Sequence, residues 1–74
     1  MLYCVYECDQ WHMDKQLKCI TETFGDAVDM VVENHEIEGV TDDELRKELE
    51  AIRQTQGHPV NYMIEAWGEF GDWN

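Results

Sequence analysis

Residues 2–22 read LYCVYECDQWHMDKQLKCITE, and the alternation of side-chain types along them sets the class of fold. The first seven alternate with period two, which is the pattern of a strand whose two faces are both partly covered. Residues 15–22 show the same period, and the segment between the two runs, Asp9–Asp14, has the composition of a loop. These residues therefore predict a β-hairpin.

A register for this hairpin follows from placing the two loop aspartates opposite each other. In that register Tyr6 faces Leu17 and Cys4 faces Cys19, which would allow a cross-strand disulfide. Cys8 brings the cysteines to three, an odd number that gives little support to a disulfide scaffold. Buried, reduced thiols are therefore the simpler interpretation.

From Phe24 onward the hydrophobic period changes to 3.6, which is the period of a helix. We expect this first helix to run from Phe24 to a stop at Gly39. The second helix begins with a capping box in which Thr41 is the N-cap and Glu44 reaches back to it. Its end is predicted at Gly57–Pro59. The first helix buries Phe24, Ala27, Val28, Val31, Val32 and His35, and the second buries Leu45, Leu49 and Ile52.

A third strand follows Pro59, because Val60, Tyr62, Ile64 and Ala66 alternate with Asn61, Met63, Glu65 and Trp67. The last residues, 67–74, include two glycines and no long period, so we expect an irregular aromatic tail. The predicted fold is α+β: a small three-stranded antiparallel sheet with two helices on one face, in the order β-β-α-α-β. At this length the chain, 1–74, forms one small domain. The third strand is expected to pair beside the first.

The chain is short and strongly acidic. Its 74 residues include 17 Asp and Glu against five Lys and Arg, which gives a formal net charge of -12. This balance excludes a nucleic-acid binder of the usual basic kind and disfavours attachment to an anionic membrane. The sequence shows no signal peptide and no apolar run of about 18 residues. We expect a cytoplasmic protein, in the host cytoplasm if a phage encodes it.

The acidic residues are concentrated between Lys18 and Arg46, where no basic residue occurs. Within the first predicted helix they recur at helical spacing, in one line opposite the apolar stripe. The line is about 15 Å long, the length of a few nucleotides. Repulsion between like charges makes such a line costly, and a basic partner would offset that cost. The line consists of Asp26, Asp29, Glu33 and Glu36, and the second helix adds Asp42 and Asp43.

We therefore predict a non-enzymatic inhibitor or modulator that mimics nucleic acid and binds a basic, nucleic-acid-binding protein. Its size, acidity and mixed fold are similar in type to phage- or plasmid-encoded inhibitors of host defence enzymes, such as anti-restriction and anti-CRISPR proteins. We expect no direct contact with nucleic acid, and either a monomer or a homodimer. A plain solvated face that confers solubility is the alternative interpretation of the acidic line.

The predicted tail supplies candidate apolar contacts. Three aromatic residues recur at every third position among acidic ones, a composition that suits a contact hot spot. The competing interpretation is that the tail folds back and caps the core. The alternative function is a small structural or regulatory adaptor, or a homodimer, that acts through its sheet edge or this tail. The three aromatic residues are Trp67, Phe70 and Trp73.

Metal binding and catalysis have little support in the sequence. The cysteines and His12 are possible ligands, but Cys4 and Cys8 are four residues apart on a strand and hence about 13 Å from each other. His35 and His58 have no nucleophile motif beside them, and there is no glycine-rich phosphate loop. We predict no metal, no cofactor and no catalytic residue.

Overall fold

The computed structural model describes residues 1–67, and its strands and helices occur in the predicted order. The fold class is confirmed as α+β with a three-stranded antiparallel sheet. Within the described residues, neither helix combines the length and hydropathy that crossing a membrane requires. The strands are β1 (Leu2–Asp9), β2 (Gln16–Thr21) and β3 (Val60–Trp67), and the helices are α1 (Phe24–Asn34) and α2 (Asp42–Ile52).

The strand order is β2-β1-β3, which confirms the predicted pairing of the third strand with the first. β1 and β3 pair continuously from Leu2 opposite Trp67 to Asp9 opposite Val60. Trp67 is the last residue of β3, which agrees with its place in the predicted alternation and corrects the predicted start of the irregular tail at this residue. The rest of the predicted tail, residues 68–74, lies outside the described residues.

β2 pairs with β1 through a bulge, which differs from the regular register predicted from the sequence. Tyr6 lies opposite Leu17, as predicted, but Val5 lies opposite Cys19, so Lys18 has no partner of its own on β1. A bulge of this kind moves every residue beyond it by one position. The predicted pairing of Cys4 with Cys19 is therefore wrong, and the two thiols lie on opposite faces of the sheet.

One face of the sheet carries both helices, as predicted. α1 packs against all three strands, and α2 packs beside α1. Val5 of β1 and Tyr62 and Ile64 of β3 meet the helices in one buried cluster. The opposite face is covered by no helix or strand of residues 1–67. The other members of the core are Ala27, Val28, Val31, Val32, Ile37, Leu45 and Leu49.

α1 ends at Asn34, before the predicted stop at Gly39. The reason is a tertiary hydrogen bond, in which the backbone N–H of Glu36 donates to the hydroxyl of Tyr62 on β3 at 3.0 Å. To make this contact the chain leaves the helical path at His35, whose backbone is extended. Glu36 therefore lies in the loop between the helices, and its predicted place in the helical line of carboxylates is wrong.

α2 begins with the predicted capping box. The hydroxyl of Thr41 accepts the N–H of Glu44 at 3.2 Å, and the carboxylate of Glu44 accepts from the backbone of Thr41. The helix ends at Ile52, well before the predicted stop at Gly57–Pro59. It ends there because the next residue, Arg53, adopts a left-handed backbone conformation with φ of 60°.

The segment that follows α2 runs along the outer edge of β3. The N–H of Ile64 donates to the carbonyl of Arg53, and the N–H of Thr55 donates to the carbonyl of Tyr62, both at 2.9 Å. Thr55 and Asn61 are fully buried here, and the hydroxyl of Thr55 donates to the side-chain oxygen of Asn61 at 2.8 Å. The centre of β3 is therefore hydrogen-bonded on both sides.

Candidate functional site

The exposed side of the two-helix layer carries five of the predicted carboxylates, and we call these five residues the acidic surface. Three of them lie on α1 opposite its buried residues, and two lie exposed in the first turn of α2. In that first turn a carboxylate is also favoured by the positive end of the helix dipole. Without Glu36 the line on α1 is about 10 Å long. The acidic surface consists of Asp26, Asp29, Glu33, Asp42 and Asp43.

Arg46 joins the acidic residues of the two helices. Its guanidinium lies 2.8 Å from the carboxylate of Asp29, and Asp42 and Glu50 are its neighbours one turn away along α2. The hydrogen bond to Asp29, supported by the negative charges of Asp29, Asp42 and Glu50, raises the pKa of Arg46. The fold thus places Asp29 of α1 against Arg46 of α2. The sequence did not reveal this pair, because its members lie on different helices.

Two further ion pairs involve acids of the sheet. Lys15 lies 3.6 Å from Glu65, and Lys18 lies 3.8 Å from Glu7. Within residues 1–67, Asp29 is therefore the one member of the acidic surface that has an ion-pair partner.

A cleft of about 320 Å³, lined by both polar and apolar side chains, lies between α1 and the sheet, near the bulge of β2. The hydroxyl of Tyr62 organises it by accepting the N–H of Glu36 at 3.0 Å and donating to a carboxylate oxygen of Glu7 at 3.2 Å. Burial raises the pKa of Tyr62 above its ordinary value, which is itself well above neutral pH, and the phenol is therefore a hydrogen-bond donor. No local pattern in the sequence indicates that Glu7 and Tyr62 are partners, because their contact joins β1 to β3 on the helix-covered face.

Trp67 is the one predicted aromatic anchor that belongs to the described residues. Its side chain is about half exposed, on the face of the sheet opposite the helices. The acidic surface lies on the helical side, so the structure does not bring Trp67 together with the predicted carboxylates. Phe70 and Trp73 lie outside the described residues.

The cysteine and histidine side chains of the described chain take part in packing and hydrogen bonds. Cys4 and Cys8 are buried free thiols, and burial raises the pKa of Cys8, which donates to the carbonyl of Asn61 at 3.3 Å. The Nε2 atom of His12 lies 2.6 Å from the carbonyl oxygen of Thr55. Within residues 1–67, no group of three or more His, Cys, Asp or Glu side chains is placed to hold a metal ion.

No protein-family model, curated protein or solved structure shows significant similarity to this chain.

Proposed function

We propose that this protein is a non-enzymatic inhibitor or modulator that mimics nucleic acid and occupies the basic groove of a nucleic-acid-binding protein. The acidic surface supports this proposal, because four of its five carboxylates have no ion-pair partner within residues 1–67 of a chain whose net charge is -12. Inhibitors of the anti-restriction and anti-CRISPR type act in this way. Such a protein works in the cytoplasm, and in the host cytoplasm if a phage encodes it.

The helices hold these carboxylates at fixed spacing. Neighbouring acids on α1 are about 5–6 Å apart, whereas phosphates rise by about 3.4 Å along one DNA strand. The acidic surface therefore imitates the density of negative charge on a backbone rather than the position of each phosphate. Lys and Arg side chains in a groove retain charged hydrogen-bond partners when carboxylates replace phosphates. Long-range attraction accelerates such an association and weakens as salt is added.

Competition with DNA tests the proposal directly. Bacterial proteins retained on DNA-cellulose at about 50 mM salt are eluted with the pure chain and identified, and their release from a labelled duplex is then measured by fluorescence anisotropy. We expect the chain to displace DNA at this salt concentration and to lose that ability at about 300 mM.

Two variants with the same change of net charge locate the binding surface. Asp26→Asn combined with Glu33→Gln removes two charges from the acidic surface, and Asp14→Lys changes the net charge equally at an exposed position in the hairpin loop. The double variant should compete about two- to thirtyfold less well, because an exposed ion pair contributes about 0.2–1 kcal/mol. Asp14→Lys should compete nearly as well as the unmodified chain. Equal losses in both variants, or no displacement of DNA at low salt, would contradict the proposal.

Arg46 competes with a basic partner for Asp29, so its removal should strengthen binding. We expect Arg46→Gln to bind an arginine-rich peptide of about ten residues more tightly at low salt, by a factor of roughly two to five. Isothermal titration calorimetry at two salt concentrations provides the measurement. Arg53→Gln is the matched control, since it loses the same charge at a side chain that lies over the ring of Phe24. An equal gain from both variants would show that net charge alone governs binding.

A further inference from the structure

The sheet face opposite the helices exposes a cluster of apolar side chains, which we call the open face. Four of them are about half exposed, from 46% for Trp67 to 53% for Ile20, and two more are partly exposed between them. The register of the three strands places all six on the same side of the sheet. The open face consists of Leu2, Tyr6, Leu17, Ile20, Met63 and Trp67.

The open face is electrically balanced, although the molecule is acidic. Among residues 1–67, its charged side chains are Lys15 and Glu65, which lie 3.6 Å apart. The ammonium group of Lys15 also lies 5.2 Å from the centre of the Tyr6 ring. The acidic surface is on the other side of the molecule, beyond the sheet. A basic protein therefore finds its charge complement on the helices and not on the open face.

We infer that the open face binds a second copy of this chain, face to face about a twofold axis. Each copy presents one paired lysine and carboxylate, so a twofold contact sets each Lys15 near the partner copy's carboxylate and brings no net charge into the interface. Two sheets packed about 10 Å apart leave both helix layers outermost. The two acidic surfaces then stay far apart and accessible, so their mutual repulsion is small.

The size of the open face indicates a weak dimer. Three strands lie about 4.8 Å apart and have up to eight residues at about 3.3 Å each. Treated as a flat rectangle, the face has an area of roughly 400 Å² per copy. Two such faces bury less than the ~1,200 Å² at which stable interfaces begin. We therefore expect a dimer with a Kd of about 10–100 µM.

Sedimentation velocity on the full chain tests this inference. Between about 5 and 500 µM, we expect the sedimentation coefficient to rise from that of a monomer to that of a dimer. Raising the salt from about 50 to 500 mM should leave the dimer as strong or tighten it slightly, because it screens the small remaining repulsion between two chains of net charge -12. Binding of the acidic surface to a basic protein should weaken over the same range. Because the two interactions respond differently to salt, the experiment can reject the dimer without rejecting the proposed function, and the reverse.

Two isoleucine variants locate the contact. Ile20→Lys places a charge in the open face and should weaken the dimer at least about tenfold. Ile52→Lys makes the same change at an isoleucine on α2 that is 48% exposed, and it should leave the dimer as strong as in the unmodified chain. Circular dichroism at low concentration establishes that both variants are folded.

Two results would overturn the inference. One is an equal weakening of the dimer by both isoleucine variants. The other is a chain that stays monomeric at every concentration. If the chain stays monomeric and Ile20→Lys also unfolds more readily than Ile52→Lys, the open face is covered from within the same chain.

Discussion

We expect Leu49→Ala to lower the free energy of unfolding by about 2–5 kcal/mol. Leu49 is completely buried where α2 meets the core, and its neighbours there are fixed by the sheet and by α1. A domain of this size has only about 4–11 kcal/mol of stability in total. The variant should therefore be partly unfolded near 37 °C. Urea denaturation followed by circular dichroism measures the loss.

Ile52→Ala is the matched control for this prediction. Ile52 belongs to the same predicted apolar seam and lies on the same helix, but it is about half exposed, so its truncation should cost less than about 1 kcal/mol. If both variants lost the same stability, α2 would not be anchored through Leu49 as the structure shows.

The second large effect is expected at Asn61, a fully buried polar residue. Its amide oxygen accepts from the hydroxyl of Thr55 at 2.8 Å, and its amide nitrogen donates to the carbonyl of His58 at 2.8 Å and to that of Asp9 at 3.4 Å. Asn61→Ala removes these partners at once and leaves buried polar groups without hydrogen bonds. We expect a loss of about 2–4 kcal/mol, measured by urea denaturation.

A double-mutant cycle with Thr55→Val separates the network from simple loss of volume. In the Thr55→Val variant the Thr55 hydroxyl is absent, so removing the Asn61 amide leaves no buried hydroxyl without its acceptor. Asn61→Ala should therefore lower the free energy of unfolding by about 1 kcal/mol less in this variant than in the unmodified chain. Asn34→Ala is the control, because this exposed asparagine donates to the carbonyl of Met30 in its own helix and its loss should stay within about 0.5 kcal/mol. Strict additivity in the cycle would contradict a coupled network.

Local signals in the sequence predicted the order of elements and the start of α2. The capping box at Thr41 and Glu44 depends on residues three apart, so no knowledge of the rest of the fold is needed to recognise it. The side-chain alternation in β1 and β3 is equally local, and the fold class follows once strands and helices are placed. The exposed positions of Asp26 and Glu33 also follow from helical periodicity alone.

Features that depend on distant residues were missed. α1 ends early because the N–H of Glu36 meets Tyr62, which lies 26 positions away in the chain. The pairing of Asp29 with Arg46 arises only when two helices lie side by side. Asn61 alternates like a solvent-facing residue of a strand, yet the segment after α2 folds over it and supplies its partners.

The bulge at Lys18 has a consequence for how far association can proceed. A bare strand edge beside an apolar sheet invites open-ended polymerisation into cross-β fibrils, and a bulge or an inserted lysine counters that tendency. Here the edge strand β2 is short and irregular at Lys18. The opposite edge of the sheet, on β3, is already hydrogen-bonded to the backbone of Arg53 and Thr55. The molecule can therefore associate with one neighbour through its open face without adding further copies at its strand edges to form a fibril.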